Sequence, residues 1–498
     1  MSQFAETTLQ LIQPAALMWS LIGVALGLVV GAIPGLGGGL LMAMILPLTF
    51  SMESLDAQIL LVGIYVGGVS GSMVSAILLG VPGAPAAVMT TLDGHAMARK
   101  GQAARAMSLG IMGSAIGGLI AGAILIVLAI PLASVALKFR NFDYFSFVVI
   151  GLVLIAFTGG NSPRLGLIAG LFGVFISTVG FDSVGAVNRF TYGSPMLANG
   201  FGLLPVLIGA YAVRQVLEDI QSPKGAGGKI ETLPNVSAVL RHAGTIIAFP
   251  FTLIRSAVIG TFVGILPGVG PNVGAIMSYS AAQSLSKRKD EFGGGSEDAV
   301  VAAETGNNAT VGGALVPMLA LGIPGSGQDV FLMAALILHA IEPGPLLAIY
   351  HPEIFYGVMG TYLIANILMM ILMIFAISWF ARVIRIPHNV LLPVVLAFCV
   401  IGVVASSNRL EDAWIMLGFG LIGVAMAWGD IPVAPFVIGF ILGPMAEERL
   451  RSSLMGTQGE ILPLFGHPIA VSVLILCLVV ISVAIFRNMQ TSPKDRSR

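Results

Sequence analysis

The chain has 498 residues, 56% hydrophobic and 10% charged, with 24 basic side chains balancing 24 acidic ones, and its mean hydropathy is +0.96. A soluble domain carries roughly 25% charged residues, so the composition excludes an ordinary soluble protein, and zero net charge with no basic arm excludes a nucleic-acid binder. Its apolar runs are continuous rather than alternating, which points to an all-α polytopic protein in a lipid bilayer and not to a barrel.

The first apolar run has no Lys or Arg before it, so a cleaved signal peptide is not expected. That run ends in Gly31–Gly39, read Gly-Ala-Ile-Pro-Gly-Leu-Gly-Gly-Gly. An acidic loop, Ser51–Asp56, follows, and then Ser70, Ser72 and Ser75 inside an apolar segment that breaks at Leu79-Gly80-Val81-Pro82-Gly83. His95, in Leu92-Asp93-Gly94-His95, precedes a basic loop with Arg99, Lys100 and Arg105 and reads as interfacial. Met107–Leu137 is long enough to span a bilayer, which takes about 20 residues. Its glycines at helical spacing, Gly113, Gly117 and Gly122, read as helix packing rather than chemistry. The stretch Gln221–Glu231, rich in Pro, Gly and Lys, reads as a solvent loop.

Beyond this loop the pattern returns. Ile246–Ile265 is a candidate span in which Arg255 must face protein or water, or snorkel. It runs into Gly264–Pro271, Gly-Ile-Leu-Pro-Gly-Val-Gly-Pro, a second copy of the first break. A polar cluster, Glu304–Thr310, heads the next apolar segment, which breaks at Leu321-Gly322-Ile323-Pro324-Gly325. Pro34 and Pro267 lie 233 positions apart, and Pro82 and Pro324 lie 242 apart. The second copy therefore holds nine further residues, which fit the loop Lys287–Glu291 with Gly293–Ser296. The register continues downstream: Ser162-Pro163-Arg164-Leu165 matches Ser407-Asn408-Arg409-Leu410, and Pro205–Gly209 matches Pro435–Gly439. Met359–Phe380 is a further span, and Ile469–Phe486 has no counterpart and reads as an appended helix. The expected organisation is repeat 1 over 1–219, a linker over 220–244, repeat 2 over 245–445, and a C-terminal helix with basic tail over 446–498. Roughly 10–12 transmembrane segments are expected, counting Pro-Gly-interrupted helices or re-entrant hairpins.

Charge sets the orientation of the repeats. Ser51–Asp56 is acidic where its counterpart Lys287–Lys289 is basic, and Arg99–Arg105 is basic where Glu342–Glu353 has no Lys or Arg. Under the positive-inside rule matching loops lie on opposite sides, as inverted topology requires. The linker with Lys224, Lys229 and Arg241 and the tail with Arg487, Lys494, Arg496 and Arg498 are then cytoplasmic, and the N-terminus outside. Lys138 and Arg140, offset only in part by Asp143, fit this orientation poorly.

The four Pro-Gly points carry the functional reading. Proline removes a backbone donor, and glycine admits φ values that other residues avoid. Backbone groups freed inside a membrane persist only where protein, water or ligand satisfies them. Half-helix N-termini suit a carboxylate, and freed carbonyls suit a cation. A simple kink explains one such break, but explains duplicated ones less well. The candidate substrate-binding residues are Gly35, Gly37, Ser70, Gly83, Gly268, Gly270, Asn272, Asn307, Asn308, Thr310, Gly325 and Ser326. A candidate cation site lies near Pro34, Pro267, Asn272, Glu304 and Asp329. The competing assignments are helix capping and interhelical hydrogen bonding for Glu304–Thr310, and capping of the next helix for Asp329.

Other chemistry is not legible. Cys399 and Cys477 lie far apart in apolar segments and read as packing. Gly225–Lys229 has a phosphate-loop composition, but Ile230 stands where Ser or Thr is required. No zinc motif or paired intramembrane aspartates mark an enzyme, and no cofactor is expected.

Together, Gly31–Gly39, Gly80–Pro85 with Thr91–Gly94, Gly264–Asn272 and Glu304–Gly327 resemble the large membrane subunit of the tripartite tricarboxylate transporter family, over nearly the whole chain. The resemblance implies a non-enzymatic secondary transporter of the bacterial inner membrane. It implies as partners a small membrane subunit and a periplasmic solute-binding protein. The implied substrates are citrate and related organic anions, taken up with a coupling cation, Na+ or H+. An ion or organic-anion channel is the alternative, and a polytopic membrane enzyme a weaker one. Broken, duplicated helices favour an occluding carrier.

Overall fold

The computed structural model describes residues 2–33, 37–158, 163–182, 185, 187–221, 234–377, 379 and 388–490. Among these the strands are β1 (Gly180–Asp182) and β2 (Val187–Arg189), one antiparallel hairpin. The rest of the regular structure is helical, the all-α fold the composition requires.

The first half contains α1 (Ser2–Leu11), α2 (Pro14–Ala32), α3 (Gly37–Thr49), α4 (Ser54–Leu79), α5 (Val88–Arg99), α6 (Ala103–Ala136), α7 (Asn141–Thr158), α8 (Pro163–Ser177), α9 (Leu203–Ile208) and α10 (Arg214–Gln221). A π turn at Gly209–Val213 joins α9 to α10. After α11 (Val236–Ala243) the second half contains α12 (Pro250–Ile265), α13 (Gly270–Leu285), α14 (Glu297–Leu321), α15 (Asp329–Leu338), α16 (Leu347–Tyr350) and α17 (Pro352–Phe375). It continues with α18 (His388–Ser407), α19 (Glu411–Trp428), α20 (Val433–Gly456) and α21 (Pro468–Gln490).

The backbone repeats at the offsets read from the sequence. Ile33 leaves α2 extended, at φ −80° and ψ 122°, and Leu266 leaves α12 at φ −77° and ψ 117°. Gly80 ends α4 at φ 70°, and Gly322 ends α14 at φ 71°, left-handed values that favour glycine. Helix contacts repeat as well. Gly31 packs on the backbone of Gly68, and its counterpart Gly264 on the backbone from Thr310 to Ala314. Neither contact leaves space for a Cβ, so glycine sets the close approach of these helices.

Helix directions show that the repeats are inverted. Along α6, Gly110 faces Met73 and Ile77, and Ser114 bonds Ser70, so α4 runs against α6. Along the same helix, Gly110 faces Glu304, Gly113 faces Thr305, Ser114 receives Asn308, and Ala121 faces Gly312, so α14 runs with α6. The equivalent helices α4 and α14 thus point in opposite directions.

The two halves interlock. α6 packs on α14 and α17 on α4, while α20 packs on α7 and α8, and α19 on α9 and the π turn. The apolar length of α4 is buried completely, which suits a helix apolar on every side. Five described helices, α2, α4, α6, α17 and α19, are long and apolar enough to cross a bilayer. Residues 236–248 with α12, bent by 85°, would make a sixth. Of the remaining helices, α3 and α15 are short halves of hairpins cut by the Pro-Gly breaks, whereas α14 and α20 are long, at 25 and 24 residues, but carry charged side chains such as Glu304 and Glu447.

Basic side chains occur at both ends: beside the loop after α15, Arg449 pairs with Glu342, and Arg189 and Arg451 with Glu447 (2.8 and 2.9 Å). His339 Nε2 lies 3.1 Å from the Met52 carbonyl, placing the Ser51–Asp56 loop beside the loop that follows α15. At the other end Lys100 donates to the Gly294 carbonyl (2.7 Å) and Arg105 pairs with Glu297 (2.9 Å), next to the loop with Lys287–Lys289. Arg255 reaches towards Thr252 (3.4 Å), which donates to Asp298 (2.5 Å). The appended helix α21 packs on α7, where the Ala470 amide donates to Asp143 (3.0 Å). Of the linker, residues 222–233, with Lys224 and Lys229, lie outside the described residues, as do the charges of the tail beyond 490.

Candidate functional site

The chain after α4 doubles back on that helix. The Gly83 amide donates to the Ser72 carbonyl (3.4 Å), and a Cβ on Gly83 would lie 2.9 Å from Ser72 Cα. At the matching place a Cβ on Gly325 would lie 2.5 Å from Ala314 Cα. Both glycines are there for close approach. Gly37, Gly268 and Gly270 serve differently, at φ 58°, 77° and 72°, in the left-handed region that costs other residues roughly 1–2 kcal/mol. The breaks also pair: Gly37 lies against Ala84, and Gly270 against Ser326.

Between them is a cavity of about 760 Å³, within the range of small-molecule sites. Its wall comes from all four breaks: Gly37–Leu40, Pro82–Ala86, Gly268–Asn272, and Gly327 with Gln328. Tyr211 on the π turn, Gln215 on α10 and Ala434 on α20 close one side. The N-termini of α3 and α13 both open into it, presenting amides with no helical partner. No charged side chain is among the lining residues. An anion here would meet backbone amides, helix-dipole ends and neutral polar groups, which bind carboxylates without burying an opposing charge. Tyr211 and Phe331 stack edge to face at 5.3 Å in the wall.

Of the sequence candidates, Gly37, Gly83, Gly268, Gly270 and Asn272 line this cavity. Gly35 and Pro34 lie outside the described residues. Gly325 and Ser326 lie directly behind the wall. The Ser326 hydroxyl accepts from the Gln328 amide (3.2 Å), a cavity residue, and shares a 2.6 Å hydrogen bond with Tyr65 OH.

The polar cluster of α14 is buried outside the lining. Ser70 bonds Ser114 (2.9 Å). Asn308 donates to the Ser114 carbonyl (2.8 Å) and to Asn366, and its own carbonyl accepts from Tyr362 (2.8 Å). Thr310 donates to the Gly306 carbonyl (2.7 Å). These contacts join α4 to α6, and α14 to α6 and α17. Asn307 is fully buried, and neither its amide nitrogen nor its oxygen has a partner.

The candidate cation ligands do not form one group. Pro267 adjoins the cavity next to Gly268, and Asn272 lines it. Glu304 is fully buried on α14; Thr90 of α5 donates to one oxygen, and the other makes no completed hydrogen bond, although Asn307 lies beside it. Asp329 is buried at the start of α15. The Ser326 hydroxyl and the Ser326 and Gly325 amides lie beside it, but neither carboxylate oxygen completes a hydrogen bond. Among the described residues no three His, Cys, Asp or Glu side chains come together.

Three features were not foreseen. Tyr211 and Gln215 follow the matched segment Pro205–Gly209, and only the π turn identifies their role. Asp93, inside the motif Thr91–Gly94, accepts from the amides of Gly293 (2.9 Å), Gly295 (2.9 Å) and Ser296 (2.7 Å) and from Tyr279 OH (2.9 Å). The Gly-rich insertion is therefore not a free loop but a cradle for a carboxylate from the other repeat. His95 Nδ1 lies 3.1 Å from the Ile77 carbonyl, with its ring against Gly80.

The chain is similar to known proteins over most of its length. The model of the Tripartite tricarboxylate transporter TctA family matches residues 17–438. A protein of Agrobacterium vitis, described as an uncharacterized 52.8 kDa protein in the TAR-I ttuC' 3' region, is 32% identical over 485 residues, 97% of this chain and 95% of that protein. A shorter one from Agrobacterium vitis, described as an uncharacterized protein in the TAR-II ttuC' 3' region, is 32% identical over 232 residues. That alignment covers 47% of this chain and 96% of the relative.

Proposed function

Because the chain belongs to the Tripartite tricarboxylate transporter TctA family, we propose that it is the permease subunit of a binding-protein-dependent secondary transporter, taking up tricarboxylates or related organic anions together with a coupling cation. The observation that supports this reading most is the uncharged cavity walled by four breaks and two helix N-termini. Such a wall suits several carboxylates at once, because each finds amide donors and none is held by a fixed lysine or arginine too tightly to leave. A channel would favour an open, charged lining; here no charged side chain is among the lining residues.

In this reading a small membrane subunit and a periplasmic solute-binding protein complete the system, since the described residues form no separate soluble domain to capture scarce substrate. The protein resides in the bacterial inner membrane, with the basic rim around Lys100, Arg105 and Lys287–Lys289 cytoplasmic. The N-terminus and Ser51–Asp56 are then periplasmic and the tail cytoplasmic. The membrane potential contributes roughly 2.3 kcal/mol per net charge per 100 mV, so several cations must accompany a multiply charged anion.

The test is uptake of radiolabelled citrate and other di- and tricarboxylates into proteoliposomes holding the carrier and its small subunit, with and without the binding protein. Saturable, binding-protein-dependent uptake with countertransport of preloaded anion is expected. Non-saturable flux without countertransport would indicate a channel. An impermeant thiol reagent on intact cells should label a cysteine at Ser51 and not one at Lys287; equal labelling would overturn the orientation.

A further inference from the structure

Two buried acids remain that the cavity wall does not use, and the inverted repeat relates their surroundings. At the second break Tyr65 of α4 reaches across to Ser326. The repeat partner of Tyr65 is Asn307, and that of Ser326 is Ala84, at the same offset of 242. The second break is thus faced by Tyr65, a polar side chain from the long helix of the opposite repeat, and at the first the turn Pro85–Ala87 packs on α14, the helix that carries Asn307.

Each place also holds one carboxylate. Asp329, at the second break, is fully buried, and both its oxygens lack a completed hydrogen bond. Glu304, at the first, is fully buried with one oxygen bound by Thr90 and the other free. Asn307 lies one turn along the same face of α14, with both polar atoms unused. Among the described residues neither acid has an ion-pair partner. An ionised carboxylate in this setting must gain a positive partner. The oxygens offered are hard ligands: carboxylate, amide, and Ser or Tyr hydroxyl. One carboxylate per place balances one monovalent charge, whereas a divalent ion would be left with an excess charge.

We propose that the carrier binds two alkali cations of sodium size, one at each break, with Asp329 the anionic ligand at one and Glu304 at the other. This rests on the carrier reading above and gives its coupling ion a place and a number. Both acids lie just behind the cavity wall, Asp329 next to Gln328 and Glu304 through Thr90 to the helix that begins at Val88. Each bound cation therefore holds a break in shape and brings positive charge close to the anion.

The experiment is equilibrium binding of radioactive sodium to the purified full chain in detergent, at constant ionic strength set with choline chloride and with no organic anion present. Saturation at two ions per chain is expected in the wild type, one in Asp329→Asn, one in Glu304→Gln and none in the double variant. Should a carboxylate variant not fold, Ser326→Ala and Asn307→Ala keep both acids, and each is expected to weaken one of the two sites about tenfold. Absence of saturable sodium binding in folded wild-type protein would overturn the proposal and would leave protons as the occupants. Two sites of unchanged affinity in all the folded variants would overturn it equally. No substrate or partner enters this assay, so its failure is distinct from a failure of citrate uptake.

Discussion

At Gly80–Gly83 and at Gly322–Gly325 the chain leaves a buried helix through a left-handed glycine and folds back onto that helix's own backbone. The side chains around the two turns have little in common. The second turn carries Ser326, Gln328 and Asp329 where the first has Ala84, Ala86 and Ala87. The first half instead sends Tyr65 and Thr90 across to meet Ser326 and Glu304. Duplication preserved the backbone solution, two hairpins lying on two central helices, and the chemistry then diverged by side chain. What must be symmetric is the place where a backbone can break inside a membrane; what binds there need not be.

If the backbone is shared, damage to it should be shared too. Gly83→Val and Gly325→Val each drive a branched side chain into the backbone of α4 or α14, and both are expected to reduce citrate uptake to background. Uptake normalised to folded protein in the membrane checks this, and a wild-type rate in either variant would show that the breaks are not equivalent. Gly268→Val acts through φ instead, at 77°, and should abolish transport with less loss of folded protein.

The cross-repeat clasp comes next in size. Asp93→Asn removes charge from a carboxylate that accepts three amides and a phenol, and hydrogen bonds to charged groups are worth about 1.5–3 kcal/mol each. A loss of roughly 2 kcal/mol in stability is expected, seen as a lower unfolding temperature in detergent. An unchanged melting curve would mean that the Gly-rich cradle is incidental.

The divergent side chains should matter on one repeat alone. Gln328→Ala and Asn272→Ala are expected to raise the half-saturating citrate concentration about tenfold, the effect of one lost hydrogen bond to a charged group. Their counterparts, Ala86 and Gly39, offer no side-chain donor to lose. The smallest effect is expected from Asn308→Ala. This residue ties α14 to α6 and α17 away from the cavity, so the variant should lose about 1 kcal/mol of stability and keep its substrate affinity. A large rise in half-saturation would return Asn308 to the binding site.

Much of this was legible in the sequence. The breaks, their offsets and the inversion followed from Pro-Gly pairs and loop charge, because backbone restriction and membrane solvation act on residue type directly. The glycine roles divided only in the structure: Gly268 and Gly270 hold positive φ, whereas Gly83 and Gly325 make room for a neighbouring helix, and a sequence does not show what lies opposite. The polar run Glu304–Thr310 was readable as a cluster, but helical periodicity sends Asn308 and Thr310 to packing contacts and Glu304 and Asn307 towards the first break. Tyr211 was not legible, since a π turn has no sequence pattern that distinguishes it from the apolar helix around it.

The most direct test of the central site is substrate protection in the cavity. With Cys399 and Cys477 replaced by alanine, Asn272→Cys places one thiol in the wall. A charged methanethiosulfonate should modify it, and citrate with the coupling cation should slow the reaction about tenfold, while a cysteine at Ser51 reacts at the same rate throughout. Equal modification of the Asn272 position with and without every tested carboxylate, in protein that still transports, would contradict the assignment of this cavity as the substrate site.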